Sequence, residues 1–188
     1  LHWNVAQIEN IWEIGKKALD SYEKISKKLG VEMHSKKSAE KRILELKKGK
    51  DSGIPCLSYP EILGIVSKDK YTVAVSGSHG KTTTTAMIAK ILTDADLKPT
   101  VIVGSLLKDS KSNFTAGNSN FFVVEACEYK KSFLNINPKI IIITNIDNDH
   151  LDYYGSLENI KKAFGEFVAK LDEDGFLICD PNDDNLKD

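Results

Sequence analysis

A short β-rich run, Tyr71–Val75, leads into Ser76-Gly77-Ser78-His79-Gly80-Lys81-Thr82-Thr83-Thr84-Thr85, and a helical pattern follows over Thr82–Leu92. A strand, a glycine turn, Lys-Thr and then a helix constrain the fold more than anything else in the chain, because together they make a phosphate cradle. The glycines let backbone N–H groups approach a phosphate, and the helix N-terminus adds partial positive charge. In such a cradle Lys81 reaches the β/γ-phosphates and the Thr82 hydroxyl meets Mg²⁺. The strict Walker pattern puts four residues between its glycines, whereas Gly77 and Gly80 are separated by two. The expected nucleotide-binding residues are Gly77, Ser78, His79, Gly80, Lys81, Thr82 and Thr83.

Downstream, strand and helix patterns alternate. Thr100–Val103, Phe121–Glu125 and Ile140–Thr144 are apolar, β-branched runs, Ser156–Leu171 is helical, and Phe176–Cys179 is a last short strand. Within Thr82–Leu92, Met87, Ile88, Ile91 and Leu92 are expected on one face. Strands that are apolar throughout, alternating with helices, imply an α/β fold. Its sheet is mostly parallel, with helices on both faces. Ligands of such sheets lie beyond the carboxyl ends of the strands. Glu125 ends one strand there. His150 follows another, among Asp147, Asp149 and Asp152, a polar setting that suits a metal ligand. A structural histidine fits the same spacing, and Asn145 fits a turn as well as a ligand contact.

Upstream, residues 4–30 carry apolar side chains at helical spacing with lysines between them, ending at Gly30. A second lysine-rich helix is expected over Ser38–Lys48, with Ser38 as its N-cap. Gly53-Ile-Pro-Cys-Leu punctuates the chain, and Tyr59–Val66 reads as a short helix. The expected domains are a helical, lysine-rich segment over 1–52 and a nucleotide-binding domain over 53–188.

Composition narrows the partners. Acidic residues number 27 against 26 basic ones in 188, so no global basic field exists for nucleic acid or an anionic membrane. Arg42 is the only arginine, so an anion clamp must use lysine, backbone N–H groups or metal. Cys56, Cys127 and Cys179 lie far apart without C-x-x-C spacing, which points to a reducing, cytoplasmic setting. Apolar runs such as Ile140–Ile143 fall far short of the roughly 20 residues of a membrane span. The chain opens Leu-His-Trp, without a signal-peptide pattern or a start methionine, and is expected to be a piece of a longer protein.

Three motifs occur in order: Gly77-Ser-His-Gly-Lys-Thr-Thr-Thr-Thr, Glu125-Ala-Cys-Glu-Tyr and Thr144-Asn-Ile-Asp-Asn-Asp-His-Leu-Asp-Tyr. Together they resemble the Mur ligases, the ATP-dependent amide-forming enzymes of peptidoglycan synthesis, over about Gly53 to Pro181. The histidine in the glycine loop, followed by four threonines, is most similar to the branch acting on UDP-N-acetylmuramate. The resemblance implies that ATP phosphorylates the muramoyl carboxylate and that an amine, L-alanine, attacks the acyl phosphate. It implies that Lys81 holds phosphate, that Thr82 and Glu125 bind a first Mg²⁺, and that His150 binds a second. Lys81 and His150 would then be the catalytic residues, with Mn²⁺ able to replace Mg²⁺. Asn113 and Asn145 would lie on the substrate side.

Two other outcomes stay open: a recycling ligase that attaches a preformed peptide to the same sugar nucleotide, or a non-catalytic nucleotide-binding fragment. Folylpolyglutamate-type ligases share the cradle. Many family members read Glu-Ala-Asp-Glu-Ser where this chain has Cys127 and Tyr129. Residues 1–50 lack the expected glycine-rich strand–turn for UDP. The adenine-contacting segment and amino-acid domain would follow residue 188, so the 188 residues alone are expected to be inactive.

Overall fold

The computed structural model describes residues 47–53, 57–105 and 112–187. The chain divides into two compact units, Leu1–Ile62 and Leu63–Asp188. The helix expected over residues 4–30 and most of the Ser38–Lys48 helix lie outside the described residues. In the first unit, residues 47–51 are helical. Helix α1 (Tyr59–Lys68) starts there with a capping box: the Glu61 carboxylate accepts from Ser58 N at 2.5 Å, and Ser58 Oγ from Glu61 N at 3.4 Å.

The second unit is built on strands β1 (Tyr71–Ser76), β2 (Thr100–Ile102), β3 (Phe114–Thr115), β4 (Phe121–Glu125), β5 (Ile140–Ile143) and β6 (Phe176–Cys179). They form one sheet in the order β3-β2-β4-β1-β5-β6. Every pairing is parallel except β2 with β3. Register decides where the chemistry goes. Val75 pairs with Glu125 and Ser76 with Ile143, so β1, β4 and β5 end side by side. The loops carrying the three motifs therefore leave from one edge.

Alternation along the strands separates two cores. Ala74, Phe122, Val124 and Ile141 face a cluster that includes Phe133, Phe164 and Phe167. Val73, Val123 and Val101 face Ala89, with Ile88 and Leu92 against them. The first core is covered by a 3₁₀ segment (Tyr129–Asn135), a short helix α3 (Leu151–Tyr154) and helix α4 (Leu157–Val168). Ser156 caps α4, accepting from Asn159 N. Phe133 stacks on Phe167 with ring centroids 4.5 Å apart and meets Phe164 edge-on. The second core is covered by helix α2 (Lys81–Asp94).

Two expectations need correction. On α2, Ile88 and Leu92 pack inward, but Met87 and Ile91 are 60% and 63% exposed. The buried line runs through the small residues Thr85 and Ala89, and Ala89 packs against Val73, Val101 and Val123 of the sheet. A face drawn through the largest apolar residues is thus rotated away from the true one. Strand β6 also departs from full burial: Phe176, Leu177 and Ile178 are exposed at the sheet edge. The two-residue strand β3 had no counterpart in the sequence pattern, being too short to show a period.

A candidate phosphate-binding active site

The turn between β1 and α2 depends on its two glycines. Gly77 has φ 131° and Gly80 φ 83°, conformations that side chains other than hydrogen strain. At Gly77 a Cβ would lie 2.1 Å from Thr144 Oγ1 and 2.9 Å from the Asn145 carbonyl. Gly80 caps α2 without a side-chain hydrogen bond, which leaves the first N–H groups of the helix to a ligand.

Residues after β5 brace this turn from below. Thr144 Oγ1 donates to the His79 carbonyl at 2.5 Å. Asn145 Oδ1 accepts from His79 N at 2.9 Å, while its Nδ2 donates to His79 O at 3.1 Å. Ser78 N donates to the Asn145 carbonyl, and Asp147 N donates to Ser78 Oγ at 2.8 Å. The amide of Asn145 is therefore spent on the main chain of the loop. Asn145→Ala should take the partner from His79 N–H, leave the His79 carbonyl to Thr144 Oγ1 alone, and cost roughly 1 kcal/mol. A thermal melt with unchanged midpoint would show that the brace carries no weight.

Above the turn lies a pocket of about 390 Å³, lined by Ser78, His79, Gly80, Lys81, Thr82, Thr83 and Glu125. Six of the seven residues expected to bind nucleotide line it, and Gly77 lies beneath. Glu125 Oε2 accepts from Thr82 Oγ1 at 2.8 Å and from Gly104 N at 2.7 Å. A Cβ at position 104 would meet Glu125 Oε1 at 2.6 Å, so a larger residue there would displace the carboxylate from this position. Lys81 Nζ donates to the carbonyls of Gly77 and Ser78 and to Glu128 Oε1, at 2.5, 3.1 and 2.9 Å.

Glu128, to which the sequence assigned no role, is brought into the site by the fold. Its side chain is 2% exposed, and its Oε2 is buried without a hydrogen-bond partner. Its Oε1 also lies 3.5 Å from His150 Nε2. The Tyr154 hydroxyl donates to the Glu128 carbonyl, and burial pushes that phenol up to about 12, so it stays a donor. His150 sits in the left-handed region at φ 55°, with its ring 4.6 Å from that of Tyr129. The one signal available was a second acid three positions beyond the end of a buried strand.

The donor chemistry fits divalent cations. Thr82 and Glu125 offer hard oxygens at the pocket, the kind Mg²⁺ prefers. Glu128, Asp149 and His150 each offer a ligand atom, all within 4.8 Å of one another. The orphaned, buried oxygen of Glu128 points to a missing positive partner. Asn113 stands apart: it is exposed, its carbonyl accepts from Val103 N, and it does not line the pocket.

Residues 75–188 match the Mur ligase middle domain. The chain belongs to the Mur ligase family. A UDP-N-acetylmuramate–L-alanine ligase from Caldicellulosiruptor saccharolyticus is 50% identical to this Mur ligase chain over 143 residues. That match covers 76% of this chain and 31% of the relative. The ligase of the same name from Borreliella burgdorferi is 41% identical over 184 residues, 97% of this chain and 38% of that protein. Similarity thus extends beyond Gly53–Pro181 into the lysine-rich N-terminal residues. Among solved structures, the UDP-N-acetylmuramate:L-alanyl-γ-D-glutamyl-meso-diaminopimelate ligase from Neisseria meningitides superposes with a TM-score of 0.66 at 26% identity. It covers 76% of this chain and 49% of that one. The Mur ligase chain spans about a third of the length of the curated relatives it matches. No helix among its described residues is long and apolar enough to cross a membrane.

Proposed function

We propose that the chain is the ATP-binding part of a ligase joining L-alanine to the carboxylate of UDP-N-acetylmuramate through an acyl phosphate, in peptidoglycan precursor synthesis. The observation that carries this reading is the pocket over Gly77–Thr83, with Lys81 on its floor and Thr82 joined to Glu125 at its rim. The named relatives at 50% and 41% identity support the choice of L-alanine.

In this reading the loop N–H groups and the start of α2 hold the β- and γ-phosphates of ATP. Lys81 neutralises charge on the phosphoryl group as it moves to the muramoyl carboxylate. Thr82 and Glu125 would hold one Mg²⁺, and His150 a second, with Mn²⁺ as a substitute. Bound there, the cations would screen the phosphate oxygens and orient them. Asn145 fixes the loop through His79, and Asn113 and Asn145 lie on the substrate side in this reading. So does the division into a helical segment over 1–52 and an ATP-binding domain from Gly53. Three widely spaced cysteines without C-x-x-C spacing agree with a cytoplasmic place for such an enzyme.

The likeness to the Neisseria enzyme supports a second reading, in which a preformed peptide replaces L-alanine. Phosphate release by the complete protein, given ATP, Mg²⁺ and UDP-N-acetylmuramate, separates the two. We expect release with L-alanine and little with L-alanyl-γ-D-glutamyl-meso-diaminopimelate. The opposite ranking selects the recycling reaction, and release with neither amine sinks both.

A further inference from the structure

A lysine ammonium has three N–H donors. Those of Lys81 go to Gly77 O, Ser78 O and Glu128 Oε1. A terminal phosphate entering the pocket must take a donor away from one of these acceptors. The two carbonyls belong to the loop, which has to keep its shape to present N–H groups. Glu128 is the acceptor with somewhere else to go, since His150 Nε2 already lies 3.5 Å from the same oxygen. Its second oxygen is buried and unpartnered. A buried carboxylate deserted by its cation is costly, so release from Lys81 demands a new positive partner. The cluster with His150 and Asp149 is where one can sit.

Resting on the functional reading above, we propose that Glu128 is the resting partner of Lys81, displaced by the nucleotide's terminal phosphate and turned toward His150. Glu128 is then a positioning residue. It holds the ammonium on the loop floor before nucleotide arrives, and it ties filling of the phosphate loop to assembly of the His150 side.

The test measures binding of a non-hydrolysable ATP analogue to the complete protein by calorimetry, with Glu128→Asp and Glu128→Gln beside it. Glu128→Asp keeps the charge but withdraws it by one methylene. Loss of the competing contact should tighten binding by roughly three- to tenfold in both variants. Turnover should fall at least about tenfold, because Lys81 and His150 lose their common reference. Tighter binding joined to slower turnover is a split that general damage to the fold does not produce. If only Glu128→Gln binds more tightly, charge repulsion explains the result and the proposal is overturned. A folded Glu128→Asp with unchanged or weaker binding overturns it as well. Failure of the unsubstituted protein to bind nucleotide removes the functional reading, and this inference with it. The unsubstituted protein also gives a check free of variants, through NMR of ¹⁵N-labelled lysine with the Lys81 signal assigned by its loss in Lys81→Met. A hydrogen-bonded ammonium resonance should be present without nucleotide and should move when the analogue is added. Rapid solvent exchange before addition overturns the proposal.

Discussion

Lys81→Ala in the complete ligase is expected to remove roughly 3–4 kcal/mol of transition-state stabilisation, two to three powers of ten in kcat/KM. The size follows from the absence of a substitute among the described residues that line the pocket. Arg42 is the chain's only arginine, and it lies in the lysine-rich N-terminal stretch. Among the described residues Lys81 is the one lysine lining the pocket, with its side chain 14% exposed and its ammonium held by three acceptors. Preorganisation of that kind is what makes a single donor worth so much in a water-poor site. Lys81→Arg should recover little, because a planar guanidinium cannot reproduce three hydrogen bonds from one nitrogen to Gly77, Ser78 and Glu128. Steady-state kinetics with ATP varied at saturating UDP-N-acetylmuramate and L-alanine reads the effect. Near-normal turnover in Lys81→Ala would reduce Gly77–Thr82 to a glycine turn with no phosphate role.

The glycine loop over Gly77–Thr82 was legible because its sequence signals are local. Strand, glycines, lysine and threonines are contiguous, and only the loop's shape had to be inferred. Strand ends were legible too, since Phe121–Glu125 and Phe176–Cys179 coincide with the observed strands. What escaped depends on distances between segments. Glu128 looked like an ordinary polar residue until β1 and β4 paired, which set it 2.9 Å from Lys81 across 47 positions of chain. Asn145 looked like a turn residue or a ligand contact. Only the parallel pairing of β1 with β5 puts its amide under His79. The rotation of α2 was hidden for a different reason. Hydrophobicity counts side-chain size, whereas close helix–sheet approach favours Thr85 and Ala89 over Met87 and Ile91. Periodicity identifies an amphipathic helix better than it identifies the contacting edge of its apolar face.

Glu125→Ala and His150→Ala should each raise the Mg²⁺ concentration needed for half-maximal ligation by about 10- to 100-fold, a loss typical of weakened metal sites. The two residues should nevertheless behave differently. Glu125 is held between Thr82 Oγ1 and Gly104 N at the pocket rim, an all-oxygen setting suited to Mg²⁺. His150 stands beside Glu128 and Asp149, where an imidazole joins two carboxylates. Imidazole binds Mn²⁺ more readily than Mg²⁺, so Mn²⁺ should rescue Glu125→Ala, which keeps the histidine, better than His150→Ala. Both strands end at the same sheet edge as the loop, so in the proposed ligase both residues would serve one phosphoryl transfer. The double variant should therefore lose less than the sum of the two single losses. Activity titrated with each metal in the three variants decides the matter. Unchanged Mg²⁺ dependence in His150→Ala would make that histidine a structural neighbour of Glu128. Strict additivity would place Glu125 and His150 in separate steps, and the common edge would then be architecture alone.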